Sequence, residues 1–573
     1  MWVSDMKTLL TTLHAKYSHA SLALPCLAGY CRDIPGINIV IREWTVNEPS
    51  EQLLRQIMAE QADLVAFSCY IWNIEKTLRI ASDIKKIAPD TLVVLGGPEA
   101  SFGVFELMHG NPAIDFVVKG EGEAVFHRLL ETIVDHGNSL GLEGPLQNIA
   151  GLFFRDGNDI ASGPLCREHL PLDDLPSPFK AGLIDLCKPL VYYETSRGCP
   201  FSCAFCLSSV EGQVRSFSME RITSDLLFLM RQNVSQIKLV DRTFNYDAKR
   251  AAQIWEFILE HNQGSHFHFE IAADLLTEEG LVLLKRVPPG TFRFEIGVQS
   301  TSAETLQRVN RTADLPRIFH NIRRLRSETE IELHLDLVAG LPGENYTGFL
   351  DSLGQVASLH SHVIQIEPLK VLKGSPMREI ARQEEYHYSS SPPYTVLRTP
   401  WLPYEDICRV ETVGRLLDLF YNHGGFAVTL SFLREGMTFS ELFDQLARKA
   451  GNENLSSLST RRTYELFARL SASLAKCADV HLLQDALFFD YCCAEMPLLG
   501  KLPGFAAHRS SDCAWPGRRE LPAGLNLPDN SRIKIFRFTF VRDYRKEPWG
   551  LEPTMVTFVY ASGEGQGLRV LVV

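Results

Sequence analysis

The sequence predicts an α/β protein built in three parts along 573 residues. Residues 1–144 read as a doubly wound, Rossmann- or flavodoxin-like domain, residues 189–374 as a partial TIM-type barrel of six strand–helix units, and residues 375–573 as a mostly helical α+β region; residues 145–188 connect the first two. Three observations carry this reading. Apolar runs of strand length alternate with amphipathic runs of helix length, first over residues 7–135 and again from residue 190. Glycine-rich turns follow several of those strands, as at the rim of an open parallel sheet. Beyond Gly374 the alternation stops and helical periods follow one another. A prior of about 150 residues per domain divides the chain into three or four units in the same way.

In the first part, strands are expected at 7–13, 37–42, 64–69, 91–95 and 114–118, and helices at 20–31, 50–61, 74–87 and 124–135. Such alternation implies parallel strands joined by crossover helices. Ligands of these sheets bind beyond the carboxyl ends of the strands. There lie the turns S-C-Y-I-W-N (68–73), G-G-P-E (96–99) and K-G-E-G-E (119–123), which make Ser68, Gly96, Gly97, Glu99, Gly120, Glu121 and Gly122 candidate contacts. Glycine lets backbone approach a flat or phosphate-bearing ligand. The other reading is that it merely turns the chain. His14 and His19, after the first strand, read as polar rim residues.

The connector carries a short hairpin, 149–154 and 159–161, around the turn D-G-N-D, then a proline-fixed lead, L-D-D-L-P-S-P-F. From residue 190 the second alternation places strands at 190–193, 236–240, 266–272, 293–298, 332–338 and 362–369. Their helices are expected at 218–231, 248–261, 278–287, 303–309, 315–327 and 348–359.

The most specific stretch is E-T-S-R-G-C-P-F-S-C-A-F-C, where Cys199, Cys203 and Cys206 are spaced C-x3-C-x2-C on the loop after the first barrel strand. A cubane of four irons normally takes four thiolates. Three this close can hold three irons and leave the fourth open to a small molecule bearing an amine and a carboxylate. Zinc is the competing reading, but it usually takes four ligands from paired clusters, and no second pair follows nearby. Buried structural cysteines are the third reading.

The triad resembles the defining mark of the radical S-adenosylmethionine (SAM) superfamily. Together with the G-G-P-E and K-G-E-G-E turns just upstream, the chain resembles the cobalamin-dependent class of that superfamily, which implies a cobalamin-binding first domain. The D-x-H-x-x-G pattern of the best-known cobalamin modules is absent, so the resemblance implies cobalt without a lower protein ligand. F-H-F-E-I-A-A-D, F-E-I-G-V-Q-S, L-Q-R-V-N-R and D-L-V-A-G-L-P-G-E further resemble radical SAM barrels related to anaerobic coproporphyrinogen oxidase. That likeness implies Glu270 on the SAM amine, Arg311 on its carboxylate, and Gln299 and Asp336 on the sulfonium side and ribose. Acid for ammonium and planar arginine for carboxylate agree with elementary chemistry. Asp241, ending the second barrel strand, is a further SAM or substrate candidate, with a structural role as its alternative.

The resemblance implies three cofactors: a 4Fe-4S cluster, SAM and cobalamin. Methylation of an unactivated carbon is the commonest outcome it implies, with rearrangement or cyclisation, methylthiolation without cobalamin, and a non-enzymatic iron–sulfur redox sensor as alternatives. Its implied partners are an unknown small-molecule or peptide substrate and a flavodoxin- or ferredoxin-type electron donor.

The last part carries helices at 404–422, 440–450, 460–475 and 482–493 and strands at 532–541 and 555–561, with a final run at 567–573. An aromatic loop, S-P-P-Y-T-V-L-R-T-P-W-L-P-Y, could cap the barrel mouth. The net charge of −12, without a basic run, gives no support to nucleic-acid binding. No apolar run of about 18 residues suggests a membrane span, and no signal peptide is expected. Thirteen cysteines, an odd number spread through the chain, fit a reducing cytoplasm better than a disulfide framework.

Overall fold

The computed structural model describes residues 5–573 apart from 137–142, 167–168, 211, 452, 475–479, 499–500, 510–511, 515–531, 547, 551 and 564–565. Five parallel strands, β1 (Met6–His14), β2 (Ile37–Thr45), β3 (Leu64–Ser68), β4 (Leu92–Gly96) and β5 (Phe116–Val118), form the first sheet. The connector hairpin, β6 (Leu152–Asp156) and β7 (Asp159–Ser162), adds two antiparallel strands at its edge, giving the order β2-β1-β3-β4-β5-β6-β7. Thus the hairpin is part of the first sheet. Separate apolar layers cover the two faces, one around Leu24, Phe126 and Leu129 and the other around Leu53, Ile80 and Val104. Burial on both faces is what continuous apolar strands such as L-V-A-F-S require.

The second part begins with β8 (Leu190–Tyr193), whose chain continues into the short pair β9 (Ser196–Arg197) and β10 (Arg215–Ser216). The strands β11 (Gln236–Leu239), β12 (His266–Ile271), β13 (Phe292–Gln299), β14 (Glu332–Ala339) and β15 (Val363–Pro368) follow with crossover helices. All six pair in parallel and in sequence, β8-β11-β12-β13-β14-β15, forming the open barrel.

Period-two burial along these strands separates two environments. Phe267, Phe269, Phe292 and Phe294 pack outward with Phe244 and Trp255 beneath the helices. The opposite face carries Lys238, His268, Glu270, Arg293, Glu295, His334 and Asp336, all half-buried. A closed TIM barrel fills its interior with branched apolar side chains. This open one is polar inside.

The edge strand β15 is covered by the helix Tyr404–Phe420, and Asn422 pairs with its backbone: Ile364 N donates to Asn422 Oδ1 (2.9 Å) and Asn422 Nδ2 donates to Ile364 O (3.1 Å). Covering an edge in this way removes unpaired backbone groups. Further helices span Ala427–Arg434, Phe439–Ala450, Thr460–Ser471 and Val480–Ala494. Their apolar faces share one continuous core with the barrel. The expected end of the third helix at residue 475 lies outside the described residues. A short pair, β16 (His387–Tyr388) and β17 (Val396–Arg398), joins the aromatic loop to the residues just before it. The chain closes with an antiparallel sheet of β18 (Asp512–Ala514), β19 (Arg532–Phe540), β20 (Thr554–Gly563) and β21 (Gln566–Val572). No helix among the described residues is long and apolar enough to cross a membrane.

Candidate functional site

Gly198 sets the start of the cysteine loop. Its φ is +94°, and a Cβ there would lie 2.0 Å from the Gln213 carbonyl oxygen, so only glycine fits. The residues before it are braced by Asp241: Thr195 N (3.0 Å), Thr195 Oγ1 (2.5 Å) and Ser196 Oγ all donate to its carboxylate. Arg250 donates to Thr195 O (2.8 Å) and Oγ1 (2.6 Å) from the other side. Burial raises the Asp241 carboxyl, and these hydrogen bonds oppose the rise. Farther along, Ala204 N donates to Val309 O and Met377 N to Ala204 O, each at 2.8 Å. Asn310, left-handed at φ 52°, donates to Ser202 Oγ at 2.6 Å.

Cys199, Cys203 and Cys206 are all free thiols; the first two are buried and the third half-buried. Cys199 Sγ lies 3.5 Å from Thr243 Oγ1, and Arg311 Nη1 lies 3.5 Å from Cys203 Sγ. Burial raises the Cys203 thiol, with Arg311 acting against it and the other two thiols adding to it. The three thiols lie near enough to influence one another, and Cys203 feels both of the others.

Arg311 Nη2 donates to Gly297 O, and Gln299, at φ 70° in a bulge of β13, folds over the same residue. A Cβ on Gly297 would lie 2.1 Å from Gln299 Nε2 and 3.7 Å from Arg311 Nη2. The structure therefore brings Gln299 and Arg311 together beside the cysteines. Asp336 pairs in register with Gly297. Burial, then Glu295 and Glu270, push its carboxyl well above the usual range, and its Oδ1 has no hydrogen-bond partner. Arg311 Nε is likewise buried and unpartnered.

Glu270 lies 3.5 Å from Lys238 Nζ, which also meets Glu295 at 3.0 Å; His268 Nε2 reaches the same Glu295 oxygen at 2.8 Å. Burial favours the neutral acid of Glu295, but His268 and Lys238 hold it down to about 2. Burial lowers His334, behind them, to about 4. His268 and Glu295 fall within F-H-F-E-I-A-A-D and F-E-I-G-V-Q-S without a role of their own being read there, and Lys238 and His334 lie in no motif. Their signal was only a strand alternation whose polar side could equally have faced solvent.

On the rim of the first sheet, the candidate residues separate by environment. Gly97 has φ +95°, and its Cβ would lie 2.7 Å from Cys69 O; one on Gly122 would lie 3.1 Å from Leu27. Those two glycines serve chain packing. A Cβ on Gly96 would make ordinary contact with Val118, whereas one on Gly120, at φ +81°, would meet nothing within 4 Å. Ser68 is buried, and its carbonyl accepts from Thr12 Oγ1 (2.9 Å) and Asn73 Nδ2 (3.1 Å). Glu99 is buried under Tyr394 Oη, which donates to it, and Lys373 Nζ at 2.9 Å. His14 lies 3.4 Å from Glu43, and His19 meets the Tyr192 ring edge-on.

Glu121 and Glu123 cross to the cysteine loop. Arg197 meets Glu123 and Glu194 at 2.7 Å each and Glu121 at 3.3 Å, while Arg215 and His169 also pair with Glu121. One arginine, two residues before Cys199, thus ties the rim of the first sheet to the mouth of the barrel.

Known families match each part. Residues 9–130 match the B12 binding domain, residues 193–356 the radical SAM superfamily, and residues 383–512 a family described as a protein of unknown function (DUF4080). The chain is 25% identical over 413 residues to the cobalamin-dependent radical SAM methyltransferase TokK of Streptomyces tokunonensis, covering 66% of this chain and 57% of that protein. To the hopanoid C-3 methylase of Methylococcus capsulatus it is 30% identical over 306 residues, 51% of this chain and 56% of that one. The chain therefore spans somewhat more than half the length of these relatives. Among solved structures, the cobalamin-dependent SAM radical enzyme OxsB, with aqua-cobalamin and SAM bound, matches with a TM-score of 0.60 at 15% identity, over 85% of this chain and 79% of that one. The radical SAM methyltransferase TsrM of Kitasatospora setae, with cobalamin and a 4Fe-4S cluster, gives 0.56 at 17% identity, over 69% and 79%. At those identities the likeness is one of fold.

Proposed function

We propose, for a chain that joins a B12-binding domain to a radical SAM domain, that it is a cobalamin-dependent methyltransferase acting on an unactivated carbon of a small molecule. The observation that carries the reading is the gathering of Cys199, Cys203, Cys206 and Arg311 at the barrel mouth, tied by Arg197 to the rim of the first sheet. The relatives with methyl-transferring names support the reaction type. When bound, a 4Fe-4S cluster, SAM and cobalamin would together supply one-electron cleavage of SAM and a methyl group for transfer.

The chain's own part is to bind, orient and keep dry. Cys199, Cys203 and Cys206 would hold three cluster corners, and their free thiols fit that task. Arg311, whose Nη1 lies beside Cys203 and whose buried Nε is unpartnered, would take the SAM carboxylate. Glu270 would take its ammonium. Asp336, held toward its neutral form by burial, and Gln299 would meet ribose hydroxyls, the former with its unpartnered Oδ1. Asp241, its carboxylate engaged by Thr195 and Ser196, would brace the loop from behind. Gly120 would offer cobalamin open backbone, while Glu99 and Glu121 hold the surrounding elements.

Residues 1–140 carry no second cysteine triad, which the two-cluster arrangement of methylthiolation would need. A flavodoxin- or ferredoxin-type donor in a reducing compartment would supply the electron.

The test is anaerobic reconstitution with iron, sulfide and hydroxocobalamin, followed by gel filtration and reduction with SAM. Retained cobalamin and formation of 5′-deoxyadenosine are expected, and Cys203→Ala should abolish the second. Cobalamin that elutes free while SAM is still cleaved would remove the cobalamin reading. Nucleoside formation that survives Cys203→Ala would remove the radical one.

A further inference from the structure

The barrel lumen holds a charge imbalance just below the barrel mouth. Lys238 on β11 is the sole cation within ion-pair distance of Glu270 among the described residues, at 3.5 Å, and it is shared with Glu295 at 3.0 Å. His268, which reaches Glu295 at 2.8 Å, is driven toward its neutral form by burial. Arg293, in register with His268, is engaged by Glu332 at 2.5 Å, and Arg242 is exposed. Burial, with Glu295 and Glu270 beside it, pushes the Asp336 carboxyl well above the usual range. Glu270 and Glu295 share the one Lys238 ammonium, so that pair of carboxylates is short by one positive charge.

Resting on the reading of Glu270 given above, we propose that Lys238 is the positioning residue for the SAM ammonium: anchored by Glu295, it holds the Glu270 carboxylate in place from within the lumen. SAM brings the missing cation. Strand register makes the arrangement rigid, because Lys238 pairs with His268 and Glu270 with Glu295 across adjacent strands. Burial works the other way, raising the Glu270 carboxyl toward a neutral acid that holds an ammonium poorly, and Lys238 is the largest influence opposing it. Glu295 has a different task. It fixes Lys238 and supplies the net negative charge.

The experiment measures SAM binding to the reconstituted holoprotein without reductant, alongside an analogue lacking the α-amino group. For Lys238→Met the expected result is SAM affinity weakened by about tenfold or more, with the analogue's affinity within about threefold of the parent's. Iron content and cobalamin retention should stay unchanged, and Lys238→Arg should recover most of the loss. Glu295→Gln, which keeps the Lys238 side chain but removes its anchor and the extra negative charge, should likewise weaken SAM more than the analogue and serves if the methionine variant does not fold. Equal weakening of SAM and analogue, or no weakening of SAM, would overturn the proposal. Glu270→Gln separates the two levels. If it leaves SAM affinity intact, the reading of Glu270 itself falls; if it alone weakens SAM, only the role of Lys238 does.

Discussion

Replacing Arg197 with methionine removes the cation that Glu194, Glu123 and Glu121 share between the first sheet and the cysteine loop. Glu121 keeps Arg215, so two carboxylates lose their partner. Breaking a buried ion pair costs about 3–5 kcal/mol. With Arg197 and Glu194 at 15% and 16% side-chain exposure, the lower end applies, about 3 kcal/mol. That corresponds to about 6 °C or more in the first thermal transition.

The deficit should depend on pH. Burial raises the Glu194 carboxyl and Arg197 is the main influence restraining it, so removing Arg197 lifts the folded-state value further above the unfolded one. A group raised on folding contributes stability below its unfolded pKa, about 4.3 for glutamate, and loses it as pH rises through the folded value. The variant should therefore lie closest to the parent near about pH 5.5 and farthest from it near about pH 8. Scanning calorimetry of the oxygen-free protein at both values measures this. Equal deficits at the two values, or a shift under about 2 °C at the higher one, would refute the reasoning.

Gly198→Ala should lose bound iron while keeping cobalamin, because the left-handed backbone alone costs about 1–2 kcal/mol and the new methyl meets the Gln213 carbonyl; full iron content per chain would contradict this. Burial pushes Glu344, despite bonds from Ser300 (2.6 Å) and Ser352 (3.1 Å), up to about 7. Its folded value is raised, so its contribution is lost as pH rises through about 7, and Glu344→Gln should flatten the thermal midpoint between about pH 5 and 8. Tyr394→Phe leaves Glu99 with Lys373 alone and should weaken the local fold by about 1.5–3 kcal/mol, read as faster proteolysis within residues 384–402.

Much of the architecture was legible because local pattern and tertiary role agree. Apolar runs bounded by turns gave all five parallel strands of the first sheet and all six of the barrel. What went unread are places where a distant partner decides. The run A-V-T-L-S-F-L-R, rich in β-branched and aromatic residues, is a helix because Asp490, far along the chain, accepts from Val428 N (3.2 Å), Thr429 N (2.8 Å) and Thr429 Oγ1 (2.6 Å) at its start. Nothing local announces that cap. Likewise the connector hairpin joins the first sheet through pairing with β5, a contact set by packing and not by its own turn.

The chain's order of residues was enough to determine the three thiols, the glycine-marked rims and the two successive alternations, since each depends on spacing along the backbone. Which rim glycine faces open space, which acid is engaged by Tyr394 or Arg197, and whether the polar side of a strand looks into a lumen or into water were decided only when the barrel curved and the two sheets met. Spacing survives unfolding. Burial and charge balance do not, because they belong to residues brought together from distant parts of the chain.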